Sequence, residues 1–384
     1  MKRNWKNYWK RFFIAGAASL LLASGVNMGG VQVAQAKANP QIFDLEAHRG
    51  GRDARPENTL VSFAYAMELG VTTLEMDMQM TKDGHIVISH NPVLNPVLTK
   101  GPDGKYVEAG KYDIRTMSLN VVKRFDVGTM NSAGGDYYES HGKTQKSVPG
   151  AKIPTLEEVF ELAKSYGNDK VYFNIETKSY ADPADPAYHN NPDPEVFVNK
   201  VYEVVKKYGM QERVTLQSFD WRTLKAMRKL DPNITLVALS SEQPSWGPEG
   251  CSLKLGDQNP SPWLAGLNIN DYHGDYVKAA KDTGADIVSP YWEELSPQLV
   301  KEAHELGMKV VPWTVNNQKD MSMLIDMGVD GLITDKPWIL RDLLITKGIP
   351  VAKPTVNGKS PYHTGIDIVS AESKQLKKGG DAAH

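Results

Sequence analysis

Eight short apolar runs, each followed by a stretch with helical spacing, constrain this chain more than any other feature. The runs close near residues 47, 78, 176, 217, 239, 289, 315 and 334. Apolar runs this short, bounded by turn residues, read as strands covered on both faces. Helical spacing is predicted over 59–69, where Leu60, Phe63, Ala64 and Met67 share a stripe, and again over 156–166, 194–208, 220–230, 274–283, 297–306, 318–327 and 338–345. A parallel strand pair needs a crossover long enough to hold a helix, so eight such units imply an α/β fold, a parallel (β/α)8 TIM barrel. A ninth apolar run, 85–89, follows the turn Lys82-Asp83-Gly84 and is expected as an antiparallel arm outside that count. The barrel is expected over 42–345. An insertion without periodicity, about 91–150, should follow the second strand as a lid. The polar tail, 350–384, is expected to be loose.

Residues 1–36 stand apart from this pattern. Lys2, Arg3, Lys6, Lys10 and Arg11 precede an apolar segment from Phe12 to about Val26, and Ala34-Gln35-Ala36 offers a small-residue cleavage site. This is the pattern of a cleavable signal peptide, cut after Ala36, with export to the periplasm or the exterior and no stable membrane anchor afterwards. Removing the leader takes away five positive charges and no negative ones, leaving 39 Lys+Arg against 46 Asp+Glu, a net charge of −7. Such a surface carries no electrostatic footprint for nucleic acid. The single cysteine, Cys251, rules out an intrachain disulfide, so the core alone must hold the fold.

In a barrel of this kind the chemistry gathers at the C-terminal ends of the strands. Those ends carry His48-Arg49, Glu75 and Asp77, Glu176 and Lys178, Gln217, Trp313, and Thr334-Asp335, while His90 closes the antiparallel arm. Glu75 and Asp77 share one face of a strand that is otherwise apolar, so they need a cation or a shared proton. Asn174, Glu176 and Lys178 share parity in the same way. Three carboxylates at one mouth suit one divalent cation with oxygen ligands, Ca2+ or Mg2+, and the extracellular setting favours Ca2+. No cysteine cluster or His-x-x-x-His pattern supports zinc. Arg49 and Lys178 could neutralise a phosphate, and His48 with His90 could form an acid–base pair. Glu46, of the same parity as His48, is expected beneath it, either orienting the imidazole or pairing with Arg49.

Taken together, His48-Arg49-Gly50, Pro56-Glu57-Asn58-Thr59, Glu75-x-Asp77, His90-Asn91-Pro92, Glu176-x-Lys178, Gln217-Ser218-Phe219, Trp313-Thr314-Val315-Asn316 and Thr334-Asp335-x-Pro337 resemble the glycerophosphodiester phosphodiesterase family. The match runs in family order from Ile42 to Leu344. The resemblance implies a TIM barrel, a divalent cation on Glu75, Asp77 and Glu176, and catalysis by His48 and His90. It also implies hydrolysis to sn-glycerol 3-phosphate and an alcohol, with Arg49, Lys178, Gln217 and Trp313 as substrate or phosphate contacts. The expected substrate is a small glycerophosphodiester or a teichoic-acid-like polymer. Two features depart from the family pattern: Glu46, where many relatives have an apolar residue, and the long irregular segment 256–272.

A phospholipase D-like barrel acting on lysolipids or sphingolipids would need an apolar rim, which the polar insertion does not offer. A glycoside hydrolase using Glu75 and Glu176 leaves Arg49, Lys178 and both histidines without a task. A non-catalytic binding protein would have no need of both histidines and all three acids. Asn58 is expected as a helix cap, Glu57 as a brace for the first loop, and His85, His141, His189, His273, His304, His363 and His384 as surface residues.

Overall fold

In the computed structural model, which describes residues 42–366, nine strands form one sheet. They are β1 Asp44–Ala47, β2 Thr73–Met80, β3 Ile86–Ile88, β4 Tyr172–Thr177, β5 Val214–Ser218, β6 Thr235–Ser240, β7 Ile287–Pro290, β8 Lys309–Val310 and β9 Gly331–Thr334. Eight run parallel in the order β8-β7-β6-β5-β4-β2-β1-β9, and β3 pairs antiparallel with β2, as its position after a Gly-containing turn implies. Single bonds from Asp330 N to Val310 O (2.9 Å) and from Ile333 N to Pro312 O (3.0 Å) draw β8 and β9 together across the remaining seam. The seventh of the eight expected barrel strands was to reach residue 315, yet its counterpart β8 has only two residues. Pro312 has no N–H to give, which interrupts the ladder, although Trp313 N still donates to Pro290 O (3.2 Å) and Val315 N to Ile333 O (3.0 Å). The signal peptide expected over 1–36 and the tail beyond 366 lie outside the described residues.

The helices follow their strands: α1 Leu60–Leu69, α2 Leu156–Ser165, α3 Pro194–Tyr208, α4 Trp221–Leu230, α5 Tyr276–Thr283, α6 Pro297–Glu305, α7 Gln318–Met327 and α8 Pro337–Thr346. Local chemistry starts and stops them. Thr59 accepts from Ser62 N at the start of α1, and Thr155 accepts from Glu158 N while Glu158 reaches back, a capping box. At the end of α1, Gly70 takes a left-handed φ of 83°, and a Cβ there would come within 2.7 Å of Ala352 O.

Strand alternation divides the side chains into two sets. Leu45, Ala47, Leu74, Met76, Met78, Phe173 and Ile175 point outward into the main core against the helices, and each contributes roughly 1–3 kcal/mol by leaving water. The inward set differs around the ring. From β6 to β9 it is apolar, with Val237, Ile287, Val311 and Ile333 in one cluster. From β1 to β5 it is polar and buried: Glu46, Glu75, Asp77, Asn174, Glu176 and Gln217. One half of the barrel interior is thus a packed plug and the other is a charged cup.

Between β3 and α2 the chain makes short turns of helix and builds a small core of its own on Val87, with Leu94, Ile114, Val122, Phe125 and Ile153. The tail was expected to be loose, but its described part is tied down. Thr355 N donates to Met67 O (2.9 Å), and Asn357 donates to Ser165 O (2.9 Å). His363 and Thr364 both bond the buried Glu68 carboxylate, which Tyr166 also reaches. A polar composition said nothing of a carboxylate on α1 that needed partners.

Candidate active site

The site begins where β1 ends. After Ala47 the chain turns through His48–Gly50, with Arg49 at φ 52° and Gly50 at φ 78°. A Cβ on Gly50 would collide with Ser62, so only glycine lets α1 start this close to the strand. The turn gives Arg49 two tasks. Its backbone N–H donates to Glu75 Oε2 (2.8 Å), and its guanidinium lies on Asp77 Oδ2 (3.1 Å) and Glu57 Oε1 (2.8 Å). The expectation for Glu57 as a brace is met.

The three acids meet through strand register. Asp77 pairs directly with Glu176 across β2 and β4, and Glu75 lies two residues back on the same face. Oxygens of Glu75, Asp77 and Glu176 come within 4.8 Å of one another, all buried. Gln217 Nε2 donates to Glu75 Oε1 (2.8 Å), and Asn58 Nδ2 donates to Asp77 Oδ2 (2.8 Å). Asp77 Oδ1 remains buried with no hydrogen-bond partner among the described residues. Burial, then the neighbouring Asp77 and Glu176 charges, pushes the Glu75 carboxyl well above its ordinary range. Burial and Asp77 push Glu176 up to about 8 against the pull of Lys178. Asp77 goes the other way: burial would raise it, but Arg49 holds it far below the usual carboxylate range. An oxygen-only donor set, an orphaned lone pair and carboxylates that resist ionising all fit a hard divalent cation.

His48 and His90 line the same cavity as Glu75 and Glu176. His48 Nδ1 bonds Asp335 Oδ1 at 2.6 Å, and its Nε2 lies 3.9 Å from Glu75 Oε2. His90 Nδ1 faces only Asn91 Oδ1, at 3.2 Å. Burial lowers both imidazoles, against the Asp335 charge for His48, and further through Arg49 and Lys178 for His90. Lys178 Nζ sits on Glu176 Oε1 (3.0 Å) and Glu249 Oε1 (2.7 Å); burial opposes its charge, but these carboxylates keep it well above its ordinary value. The cavity holds about 440 Å³, and Phe219, Trp246, Tyr291 and Trp313 form its far wall. Trp313 is fixed by its Nε1–H on Ser289 O (2.9 Å) and packs edge-on to Phe219 at 5.4 Å.

The insertion reaches the rim of this cup. Tyr137 donates its hydroxyl to Glu57, His141 bonds Asp53 at 2.6 Å, and Gln145 donates to Arg52 O at 2.7 Å. It grips the loop that carries Arg49 and Arg52.

Every residue singled out from the sequence for chemistry falls on this cup or its wall: His48, Arg49, Glu75, Asp77, His90, Glu176, Lys178, Gln217 and Trp313. Several assignments change in detail. Gln217 gives one amide hydrogen to Glu75 and accepts from Asn174, so it also orients a carboxylate while lining the cavity. Glu46 does not support His48; it accepts from Asn174 Nδ2 (2.8 Å) lower in the barrel, and Asp335 holds the imidazole. Strand parity ends at Ala47, so it could not relate Glu46 to His48. Asn58 contacts Asp77 and leaves the capping to Thr59. His141 is half-buried against Asp53, not a surface residue, whereas His363 is exposed as expected and bonds Glu68 from the surface. Sequence reasoning missed Asp335 as a partner, although Thr334-Asp335 ends a strand. It also missed Arg52, Trp246, Glu249 and Tyr291, which long or sharp loops deliver without any periodic signal.

Comparison with known proteins meets this geometry from outside. Residues 48–338 match the glycerophosphoryl diester phosphodiesterase family. A glycerophosphodiester phosphodiesterase of Caldanaerobacter subterraneus subsp. tengcongensis is 30% identical over 78% of this chain and 96% of its own length. Among solved structures, a putative glycerophosphoryl diester phosphodiesterase from Silicibacter pomeroyi superposes with a TM-score of 0.67 at 30% identity, over 81% of this chain and 95% of that one. A phosphodiesterase of Oleispira antarctica, solved with the product sn-glycerol-3-phosphate, shares the fold at a TM-score of 0.56 and 22% identity, over 79% of this chain and 97% of that one. The matched span begins at the imidazole beside Glu75 and ends just past the carboxylate that holds it, so the site and the likeness coincide: the chain belongs to the glycerophosphoryl diester phosphodiesterase family.

Proposed function

We propose that this chain is an exported, Ca2+-dependent phosphodiesterase that hydrolyses glycerophosphodiesters to sn-glycerol 3-phosphate and an alcohol, with His48 and His90 transferring the protons. One observation carries the reading: three buried carboxylates lie within 4.8 Å of one another, and two of them, Glu75 and Glu176, line a cavity that also holds two imidazoles, a lysine and two arginines. A cation held by Glu75, Asp77 and Glu176 would polarise a non-bridging phosphate oxygen. Lys178 and the Arg49 guanidinium add positive charge where the transferring phosphoryl group gathers negative charge. One imidazole takes a proton from the attacking hydroxyl and the other gives one to the departing alkoxide, each worth about 10²–10⁴ in rate. The aromatic wall offers an apolar surface to the organic part of the substrate.

The choice of Ca2+ is supported by the oxygen-only donors and by export, and export by the charged, apolar and small-residue pattern of residues 1–36. A teichoic-acid-like polymer with glycerol phosphate ends is a second source of the same diester chemistry. The test is to incubate the purified mature protein with glycerophosphocholine and Ca2+ and to measure sn-glycerol 3-phosphate. Release that a chelator abolishes and Ca2+ restores is expected. No release with Ca2+, Mg2+ or Mn2+ would overturn the reading and favour a binding protein.

A further inference from the structure

His48 and His90 share a cavity but not an environment. Around Asp335, fully buried at the end of β9, four donors converge. Oδ1 accepts from His48 Nδ1 (2.6 Å) and Arg52 Nε (2.6 Å), and Oδ2 accepts from Arg52 Nη2 (3.1 Å) and Asn316 Nδ2 (2.7 Å). The orientation of the Asn316 amide is settled by its other end. Its Oδ1 accepts the Asp335 backbone N–H (2.9 Å) and the Thr334 hydroxyl (3.2 Å), so its NH2 must face the carboxylate. Arg52 has only donors to offer. A carboxylate with Arg52 and Asn316 already donating is an acceptor, and the fourth contact therefore needs a proton on His48 Nδ1. Among the described residues nothing comparable meets His90, whose Nδ1 has only an amide oxygen at 3.2 Å.

We propose that Asp335 is the positioning residue of the reaction: it locks His48 in the Nδ1–H tautomer and aims the Nε2 lone pair into the cavity, so that His48 is the imidazole that accepts the proton of the attacking hydroxyl. The proposal rests on the reading of His48 as a proton-transfer group. In that step the hydroxyl O–H bond breaks, the N–H bond forms at Nε2, and the electron pair left on oxygen forms the new bond to phosphorus. The phosphorus–oxygen bond to the departing alkoxide breaks, and that oxygen keeps the electron pair and takes a proton from His90. Asp335 keeps its charge throughout, facing the imidazolium across Nδ1–H. Arg52 holds the carboxylate from behind, and its Nη1 lies 3.4 Å from the Tyr137 hydroxyl, so the insertion braces the same line of contacts.

The experiment combines a tautomer measurement with kinetics on the metal-loaded full mature chain. In isotope-labelled histidine spectra, the His48 signal, assigned by its loss in His48→Ala, should show Nδ1–H; an Nε2–H ring in the wild type would overturn the proposal without reference to any substrate. Asp335→Asn should move that signal to the Nε2–H form and lower kcat by about 10²–10⁴, with KM and metal affinity held within about twofold. Placed in the His48→Ala background it should cause no further loss, because the two act as one unit. An equal loss in both backgrounds, or a loss that follows metal affinity, would show that Asp335 acts through the fold. If the wild type turns over no glycerophosphodiester while its tautomer is as stated, the functional reading has failed and the positioning has not.

Discussion

The carboxylate cluster predicts how tightly the site binds a cation as pH changes, and with what slope. Glu176, pushed up to about 8, is mostly protonated in the metal-free site at neutral pH, and Glu75 stands well above its ordinary range. Asp77, paired with Arg49, is ionised throughout and contributes nothing to the slope. A cation entering the site must therefore displace at least one proton. Each pH unit well below about 8 adds roughly 1.4 kcal/mol to that displacement, so between pH 8, where the group is half protonated, and pH 6 the apparent Kd for Ca2+ should rise about 50-fold. If Glu75 also gives up a proton, the slope doubles to about two decades per unit. Isothermal titration of the purified mature chain with Ca2+ at a series of pH values measures the slope directly. Glu176→Gln should weaken binding and lower the slope by one proton. A Kd that stays flat across this range, or an unchanged slope in Glu176→Gln, would refute the view that Glu176 is a protonated ligand awaiting the ion.

His48→Ala and His90→Ala should each lower kcat by about 10²–10⁴ while Ca2+ affinity stays at the wild-type level; loss of affinity in titration would mark the ring as a ligand instead. In chelator, Glu176 binds more protons in the folded chain than in the unfolded one between its ordinary value of 4.5 and about 8, and Glu75, held well above its ordinary range, acts in the same direction. Their contribution to stability is therefore full below that window and lost as pH rises through it, so thermal unfolding of the metal-free protein should occur at lower temperature at pH 8 than at pH 5, and a Tm that rises with pH would contradict it. Thr364→Ala, which takes a donor from the fully buried Glu68, should destabilise the chain by about 1–3 kcal/mol in urea unfolding, and an unchanged midpoint would show that the C-terminal segment only rests on α1.

Much of this architecture was legible in the residues because barrels repeat. Short apolar runs spaced by helical stretches located eight parallel strands, and a Gly turn marked β3 as an arm outside them. Parity within a strand also read correctly, since Glu75 with Asp77 and Asn174 with Glu176 do share faces. Legibility failed where a strand ended. His48 lies in a left-handed turn beyond β1, so parity said nothing reliable about it, and its partner comes from β9, far along the chain but adjacent once the barrel closes. Only the ring closure brings Asp335 to His48, and no local spacing encodes that. The loop bearing Trp246 and Glu249 was invisible for a different reason: its position depends on tertiary contacts, not on a repeat. Polar composition misled at the tail, where His363 and Thr364 are bound by one buried acid.

The most direct test of the central claim is a crystal structure of the mature chain with Ca2+ and sn-glycerol 3-phosphate, read by the anomalous signal of Ca2+. The account predicts one peak bonded to oxygens of Glu75, Asp77 and Glu176, with a phosphate oxygen beside it and His48 Nε2 and His90 both facing the phosphate. A peak bound elsewhere, or a phosphate that neither imidazole can reach, would contradict it.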